Sequence, residues 1–276
     1  MKRIVSIQDI SCLGKCSLTV ALPIISAMGV ECSIVPTAVL STHTMFQNFT
    51  CKDLTDQISP IAAHWKSEKI GFDAIYTGYL ASKEQIGDVC AFFDQFKTEG
   101  NLIVVDPVMA DNGKLYPAFG EDFPAEMAKV CAKADLIVPN LTEASLLTGL
   151  PYKTEYDEAY IRQMLQALAK LGPRYVALTG VSFEEGKLGV MYYDQSTGQY
   201  GSYFAEHLPA SFHGTGDVFA STCVGALMRG KSLGDALALA ADYTVECIRA
   251  TLASPDHAWY GVDFEAAIPY LVDRLR

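Results

Sequence analysis

Short apolar runs, many of them β-branched, alternate with longer amphipathic stretches over the first two thirds of the chain. Nothing else in the sequence limits the fold as strongly. Strands are predicted at 3–8, 33–39, 73–77, 102–106, 135–138 and 174–179, and helices near 17–28, 54–69, 83–99, 122–133, 141–148 and 157–171. Strands joined by crossover helices run parallel and are covered on both faces. The expected architecture is therefore an α/β three-layer sandwich around a mostly parallel central sheet. After Gly180 the pattern changes: 187–193 and 199–205 read as a hairpin turning through Asp194 to Gly198. Two helices are expected after it, the second opened by Ser232 and Asp235 as a capping box. At 276 residues, 50% hydrophobic and 19% charged, the chain has enough apolar material for one large domain spanning 1–276.

Several function classes fall away on composition. A net charge of −11 argues against a nucleic-acid surface, though a local anion hole with a cation still admits a nucleotide. The longest apolar runs fall short of the roughly 18 residues that a membrane span needs. The cysteines at 12, 16, 32, 51, 90, 131, 223 and 247 contain no C-x-x-C pair, and Met1-Lys2-Arg3-Ile4 leads into a strand pattern without an apolar signal region. Reduced thiols in a cytoplasmic protein are expected. The five histidines contain no H-x-x-x-H pair, which argues against zinc.

The segment Phe212-His213-Gly214-Thr215-Gly216-Asp217 runs straight into the apolar stretch from Val218 to Met228. A glycine-rich turn entering a helix aims unpaired N–H groups at one point, where the helix dipole adds positive potential. Asp217 sets a carboxylate at the mouth of that anion hole. Two readings stand: a general base that takes a proton from a substrate hydroxyl during phosphoryl transfer, or a cap for a helix starting at Val218. The stretch Gly14-Lys15-Cys16-Ser17 is not a P-loop, because Cys16 stands where Ser or Thr must follow the lysine and Asp9 where a glycine is required.

The GTGD turn resembles the catalytic signature of the ribokinase superfamily. Ile7-Gln8, Leu40-Ser41-Thr42-His43-Thr44, Tyr76-Thr77-Gly78-Tyr79, Val105-Asp106-Pro107-Val108-Met109 and Pro139-Asn140-Leu141-Thr142-Glu143 precede it in an order similar to the pyridoxal kinase branch. That branch includes pyridoxamine and hydroxymethylpyrimidine kinases, and the resemblance covers nearly the whole chain. It implies a ribokinase-like fold, ATP and Mg2+, a homodimeric habit, and phosphorylation of a hydroxymethyl group on a B6 vitamer. Asp217 is then the base and Gly214, Thr215 and Gly216 the anion hole.

On the nucleotide side, the resemblance assigns Asp106, Asn140 and Glu143 to the metal and its water shell. Asn140 and Glu143 also read as a plain capping box. Asp111 occupies the position of a second acidic residue associated with metal or nucleotide, and reads equally as a solvated loop residue before Asn112-Gly113. Thr179 matches a position beside the phosphates or a monovalent cation such as K+. On the substrate side the resemblance places His43, Thr44, Met45 and Tyr79 near the ring, although a lone loop histidine reads on its own as a surface residue. Asp9 departs from the serine usual in pyridoxal kinases. A carboxylate there favours an amino group or a protonated ring nitrogen, tilting the expectation towards pyridoxamine or an aminopyrimidine. A hydroxymethylpyrimidine or phosphomethylpyrimidine kinase is the nearest alternative, and a catalytically silent ligand-binding relative is the alternative of another class.

Overall fold

The structure, a computed structural model, describes residues 1–275. A nine-stranded sheet forms its centre. Six strands run parallel: β1 (Arg3–Ser11), β2 (Glu31–Leu40), β4 (Ala74–Thr77), β5 (Leu102–Val105), β8 (Leu136–Ile137) and β9 (Tyr175–Val181). Three strands lie antiparallel at the edges: β3 (Cys51–Asp53) beside β2, and the hairpin β10 (Lys187–Asp194) and β11 (Gln199–Glu206) beside β9. Read across the sheet the order is β11-β10-β9-β8-β5-β4-β1-β2-β3. Between β5 and β8 a small separate ribbon pairs β6 (Ala110–Asp111) with β7 (Lys114–Leu115).

The helices fall into two layers because successive residues of a strand face opposite sides. Val5, Ile7, Ile75 and Val105 point to one side and pack with α2 (Thr55–Ser67), α3 (Lys83–Phe96), α4 (Phe123–Cys131), α5 (Leu141–Thr148) and α6 (Glu158–Ala169). Ile4, Ala74, Tyr76 and Val104 point to the other, against α1 (Leu18–Ala27), α7 (Thr215–Met228), α8 (Leu233–Ala253) and α9 (Phe264–Asp273). Local chemistry sets many of the helix starts. The side chains of Ser82, Asn140, Asp157 and Ser232 each accept a hydrogen bond from the N–H three residues on.

The predicted sandwich is present, with informative differences. Helix α7 begins at Thr215 rather than Val218, so its N-cap is Gly214 (φ 82°) and Asp217 lies in the first turn. Three helices, not two, follow the hairpin, α9 being the addition. The short strands β3, β6 and β7 were not expected either, since two or three residues carry no periodicity. Strand β1 runs on to Ser11, so Asp9 is a strand residue and not a loop residue. It lies at a register shift where Gln8 pairs with Pro36 but Ile10 with Val39, so that two residues of β2 stand opposite Asp9.

The hairpin edge depends on Gly189, where a Cβ would stand 2.0 Å from the Tyr203 carbonyl oxygen. Backbone cannot yield as a flexible side chain does. Gly189→Ala is expected to destabilise the protein by about 1–3 kcal/mol. Gly71→Ala, with nothing within 4 Å of the added carbon, is the control for helix-free glycine replacement. Equal melting temperatures for the two variants would refute the steric account.

Candidate active site

The carboxyl ends of the six parallel strands form one edge, and the strand order sets the candidate residues along it. Thr179 on β9 and Asn140 after β8 stand at one end, joined by a single parallel bridge. Asp106 follows β5 and Tyr79 follows β4. Asp9 is on β1, and His43, Thr44 and Met45 follow β2. The residues assigned to metal and nucleotide thus occupy one half of the edge and those assigned to the ring the other. The sheet changes direction between β4 and β1, where open α/β sheets bind ligands.

The start of α7 meets this edge. Within the described residues the N–H groups of Thr215, Gly216 and Asp217 have no partner, and the first helical bond runs from the Val218 N–H to the Gly214 carbonyl. Gly216 is exposed and a Cβ there would meet nothing within 4 Å, so the approach to these groups is open. The Thr215 hydroxyl donates to the Phe212 carbonyl at 3.2 Å. Gly214 has no such freedom: a Cβ would lie 2.1 Å from the Lys15 carbonyl oxygen, and its φ of 82° disfavours any other residue. The turn is therefore pressed against the loop between β1 and α1.

Four carboxylates gather here with no Lys or Arg beside them among the described residues. Burial, first of all, raises the Asp217 carboxyl to about 7; the Ser17 N–H opposes the shift and the Asp9 charge adds to it. Burial likewise raises Glu143 to about 8, against hydrogen bonds from backbone N–H groups. The Asp106 side chain is buried and, among the described residues, its carboxylate accepts no hydrogen bond, so desolvation together with the charges of Glu143 and Asp217 holds it well above the usual carboxylate range. Asp9 is raised by burial as well. Such a group of acids with open N–H donors beside it suits an anionic ligand that brings its own cation.

Glu143 completes the capping box. Its Oε2 accepts from the Asn140 N–H at 2.9 Å, its own N–H donates to Asn140 Oδ1 at 2.9 Å, and Oε1 accepts from the Met109 N–H at 3.1 Å. Asn140 Nδ2 donates to the Ala110 carbonyl at 2.9 Å, so box and ribbon are locked together. Asp111 is exposed, and its oxygens accept from the N–H and the amide of Asn112 at 2.8 and 3.0 Å. Among the described residues no three His, Cys, Asp or Glu side chains are arranged to clasp one ion. Magnesium, which keeps several waters and takes few carboxylates, fits Asp106 and Glu143 acting partly through water. Thr179 donates its hydroxyl to the Pro139 carbonyl at 3.3 Å.

At the other half, Asp9 Oδ1 accepts from the Ser17 hydroxyl at 2.6 Å and Oδ2 from the Ser11 hydroxyl at 3.1 Å. His43 is buried, unlike a surface histidine. Nε2 faces the Tyr260 carbonyl at 3.0 Å and Nδ1 accepts from the Met45 N–H at 3.2 Å, which assigns the neutral ring with its proton on Nε2. Both ring nitrogens are engaged within the chain, leaving His43 to offer its face and edge. The ring packs 4.3 Å from His213 and 4.9 Å from Phe46, centroid to centroid. Thr44 and Met45 are exposed, and Tyr79 packs 5.5 Å from Phe119. Ser11, Ser17 and the Tyr260 carbonyl escaped the sequence reading, since nothing in their spacing marks them.

The raised carboxyls predict a stability profile. In the unfolded chain Asp217 and Glu143 ionise near 4, whereas the folded chain holds their protons to about 7 and about 8. Between those limits the folded state binds more protons, so stability falls as pH rises, by up to about 1.4 kcal/mol per unit for each group. The contribution is full below about pH 4 and gone above about pH 8. Thermal midpoints in metal-free buffer should decline from pH 5 to pH 8, less steeply in Asp217→Asn. A flat or rising profile would contradict the burial described.

Residues 22–259 match the family described as phosphomethylpyrimidine kinase. A Bacteroides thetaiotaomicron protein, named as a candidate phosphomethylpyrimidine kinase, is 40% identical; its rhombohedral form gives a TM-score of 0.94 over 98% of this chain and 93% of that one. The orthorhombic form of that protein, a structure with pyridoxal, gives 0.93 over 98% and 95%. Pyridoxal kinase from Lactobacillus plantarum is 31% identical, with a TM-score of 0.91 over 99% of this chain and 97% of that one. Pyridoxal kinase from Arabidopsis thaliana is 26% identical over 265 residues, 91% of this chain and 81% of that protein. With the family match running through most of its length and its fold repeated in these relatives, the chain belongs to the phosphomethylpyrimidine kinase family, alongside pyridoxal kinases.

Proposed function

We propose that this protein is an ATP-dependent kinase of B6 vitamers, phosphorylating the 5′-hydroxymethyl group of pyridoxal, pyridoxamine or pyridoxine. One observation carries the reading. The three open N–H groups at the start of α7 and the Asp217 carboxylate share one mouth, on the edge where Asp9 and Asp106 also stand. The relative that holds pyridoxal supports the choice of ring.

In this mechanism Asp217 accepts the proton of the substrate hydroxyl as that oxygen forms its bond to the γ-phosphorus. The bond from the γ-phosphorus to the bridging oxygen breaks, and ADP leaves with the electron pair. The N–H groups of Thr215, Gly216 and Asp217 hold the charge on the transferring group. Asp106, Asn140 and Glu143 would hold magnesium and its water shell, and the ion would supply neutralisation of phosphate charge. Asp9 orients the ring through a donor on the vitamer. A monovalent cation near Thr179 and a cytosolic homodimer belong to the same reading, supported by the family resemblance.

A second reading, phosphorylation of a hydroxymethylpyrimidine, is favoured by Asp9, because an aminopyrimidine offers an amino donor to a carboxylate. The complete GTGD turn argues against a silent binding protein. A transfer assay with ATP and a panel of pyridoxal, pyridoxamine, pyridoxine and hydroxymethylpyrimidine separates all three. The expected result is turnover of B6 vitamers, while a pyrimidine rate above every vitamer would overturn the assignment.

Asp217→Asn should lower kcat by about 10²–10⁴ with little change in folding. The unaltered enzyme should lose kcat/KM below about pH 7, where its base takes up a proton, and the variant should lack that limb. Near-normal turnover in the variant would remove Asp217 from the chemistry.

Glu143→Gln tests the metal side. The amide keeps one acceptor but sets N–H groups against a backbone donor, so a stability loss of about 1–3 kcal/mol is expected without magnesium. Beyond that, the magnesium concentration for half-maximal activity at fixed ATP should rise roughly tenfold, as expected for one lost charged contact. An unchanged magnesium requirement would confine Glu143 to its capping box.

A further inference from the structure

Ser17 is the residue just before α1, where a serine ordinarily turns its hydroxyl onto the first turn of the helix. Here it does not: no side-chain cap bond forms, and the backbone takes φ 52° and ψ −134°, a conformation suited to glycine. The hydroxyl instead donates to Asp9 Oδ1 at 2.6 Å, and the Ser17 N–H faces the Asp217 carboxylate and favours its ionised form. A single residue therefore holds the carboxylate read as the ring contact and faces the one read as the base. We propose that Ser17 is a positioning residue that fixes Asp9 and Asp217 relative to each other, and so aligns the vitamer's ring with the proton acceptor.

Four further contacts make this link stiff. Lys15, two residues earlier, pairs with Asp263 at 2.6 Å and Glu265 at 3.0 Å. Its carbonyl is the one against which Gly214 is pressed. The Ser11 hydroxyl holds the second Asp9 oxygen. Among the described residues no Lys or Arg faces Asp9: its charged and titratable neighbours are Cys16 on the same loop, neutral His43 after β2, Cys51 on β3, Tyr79 after β4 and Asp217 on α7. The hydroxyls of Ser11 and Ser17 thus orient the Asp9 carboxylate without neutralising it, and its charge stays available to a donor on the substrate.

The inference rests on the kinase reading, and the test keeps the two apart. Ser17→Gly suits the backbone and retains the N–H to Asp217, so it deletes only the hydroxyl. Kinetics with pyridoxal and pyridoxamine should show KM raised about tenfold or more, the usual effect of losing a hydrogen bond to a charged group. In the Ser17→Gly/Asp9→Asn double variant the further loss over Asp9→Asn alone should be under twofold. Independently of substrate, carboxyl ¹³C NMR should show Asp9 titrating at higher pH in Ser17→Gly, because the deleted donor favours the ionised form. Ser17→Ala, read the same way, serves if the glycine variant fails to fold.

Unchanged KM with an unmoved Asp9 titration overturns the proposal, as do fully additive losses in the double variant. If the unaltered protein phosphorylates no B6 vitamer while the Asp9 titration still moves, the kinase reading fails and the hold of Ser17 on the carboxylate stands.

Discussion

The contact between the Gly214 backbone and the Lys15 carbonyl governs the arrangement of everything else at this edge. It brings the open end of α7 against the loop leaving β1, and a single methyl group at Gly214 would forbid it. Because the two backbones meet, the Ser17 N–H reaches Asp217 while the Ser17 hydroxyl reaches Asp9. The salt bridges of Lys15 to Asp263 and Glu265 add a clamp from the final helix. Such half-buried pairs contribute modestly to stability, and their larger effect is to fix where the loop lies.

Around that contact the protein tolerates an arrangement that opposes folding. Asp106 and Glu143 are buried and Asp217 half-buried close to one another, with no Lys or Arg among the described residues to meet them. The cost is limited by keeping protons on the acids and, at Glu143, by backbone N–H groups. A ligand that carried positive charge to this edge would relieve the mismatch. The apolar layers on both sides of the sheet provide the stability against which it is held.

Much of this was legible in the sequence because it is periodic or chemically distinctive. The alternation of strands and helices gave the sandwich, and the glycines of the GTGD turn marked a helix start with open N–H groups. Position 217 was harder: a helix drawn from apolar periodicity starts at Val218, whereas the first turn is written in polar residues and in the left-handed Gly214. Asn140 and Glu143 read as a capping box, and a box is present; its other role depends on surroundings that a four-residue motif does not contain. His43 illustrates the converse. Its burial and its two engaged nitrogens come from Tyr260 and Met45, and the Tyr260 contact spans 217 residues. The link that Ser17 makes could not be read from the sequence for the same reason, since it depends on Asp9 on β1 and on the turn that opens α7.

The clamp on Lys15 also has a consequence in time. Its partners Asp263 and Glu265 lie 248 and 250 residues further along the chain, and α7 itself is made after all of the parallel strands. In synthesis the acidic edge of the sheet therefore precedes α7, and the partners that pin the loop joining them come later still. Contacts so distant in sequence form slowly and late in folding. The carboxylates of the sheet edge and Asp217 can be brought to their full arrangement only after α9 has been made.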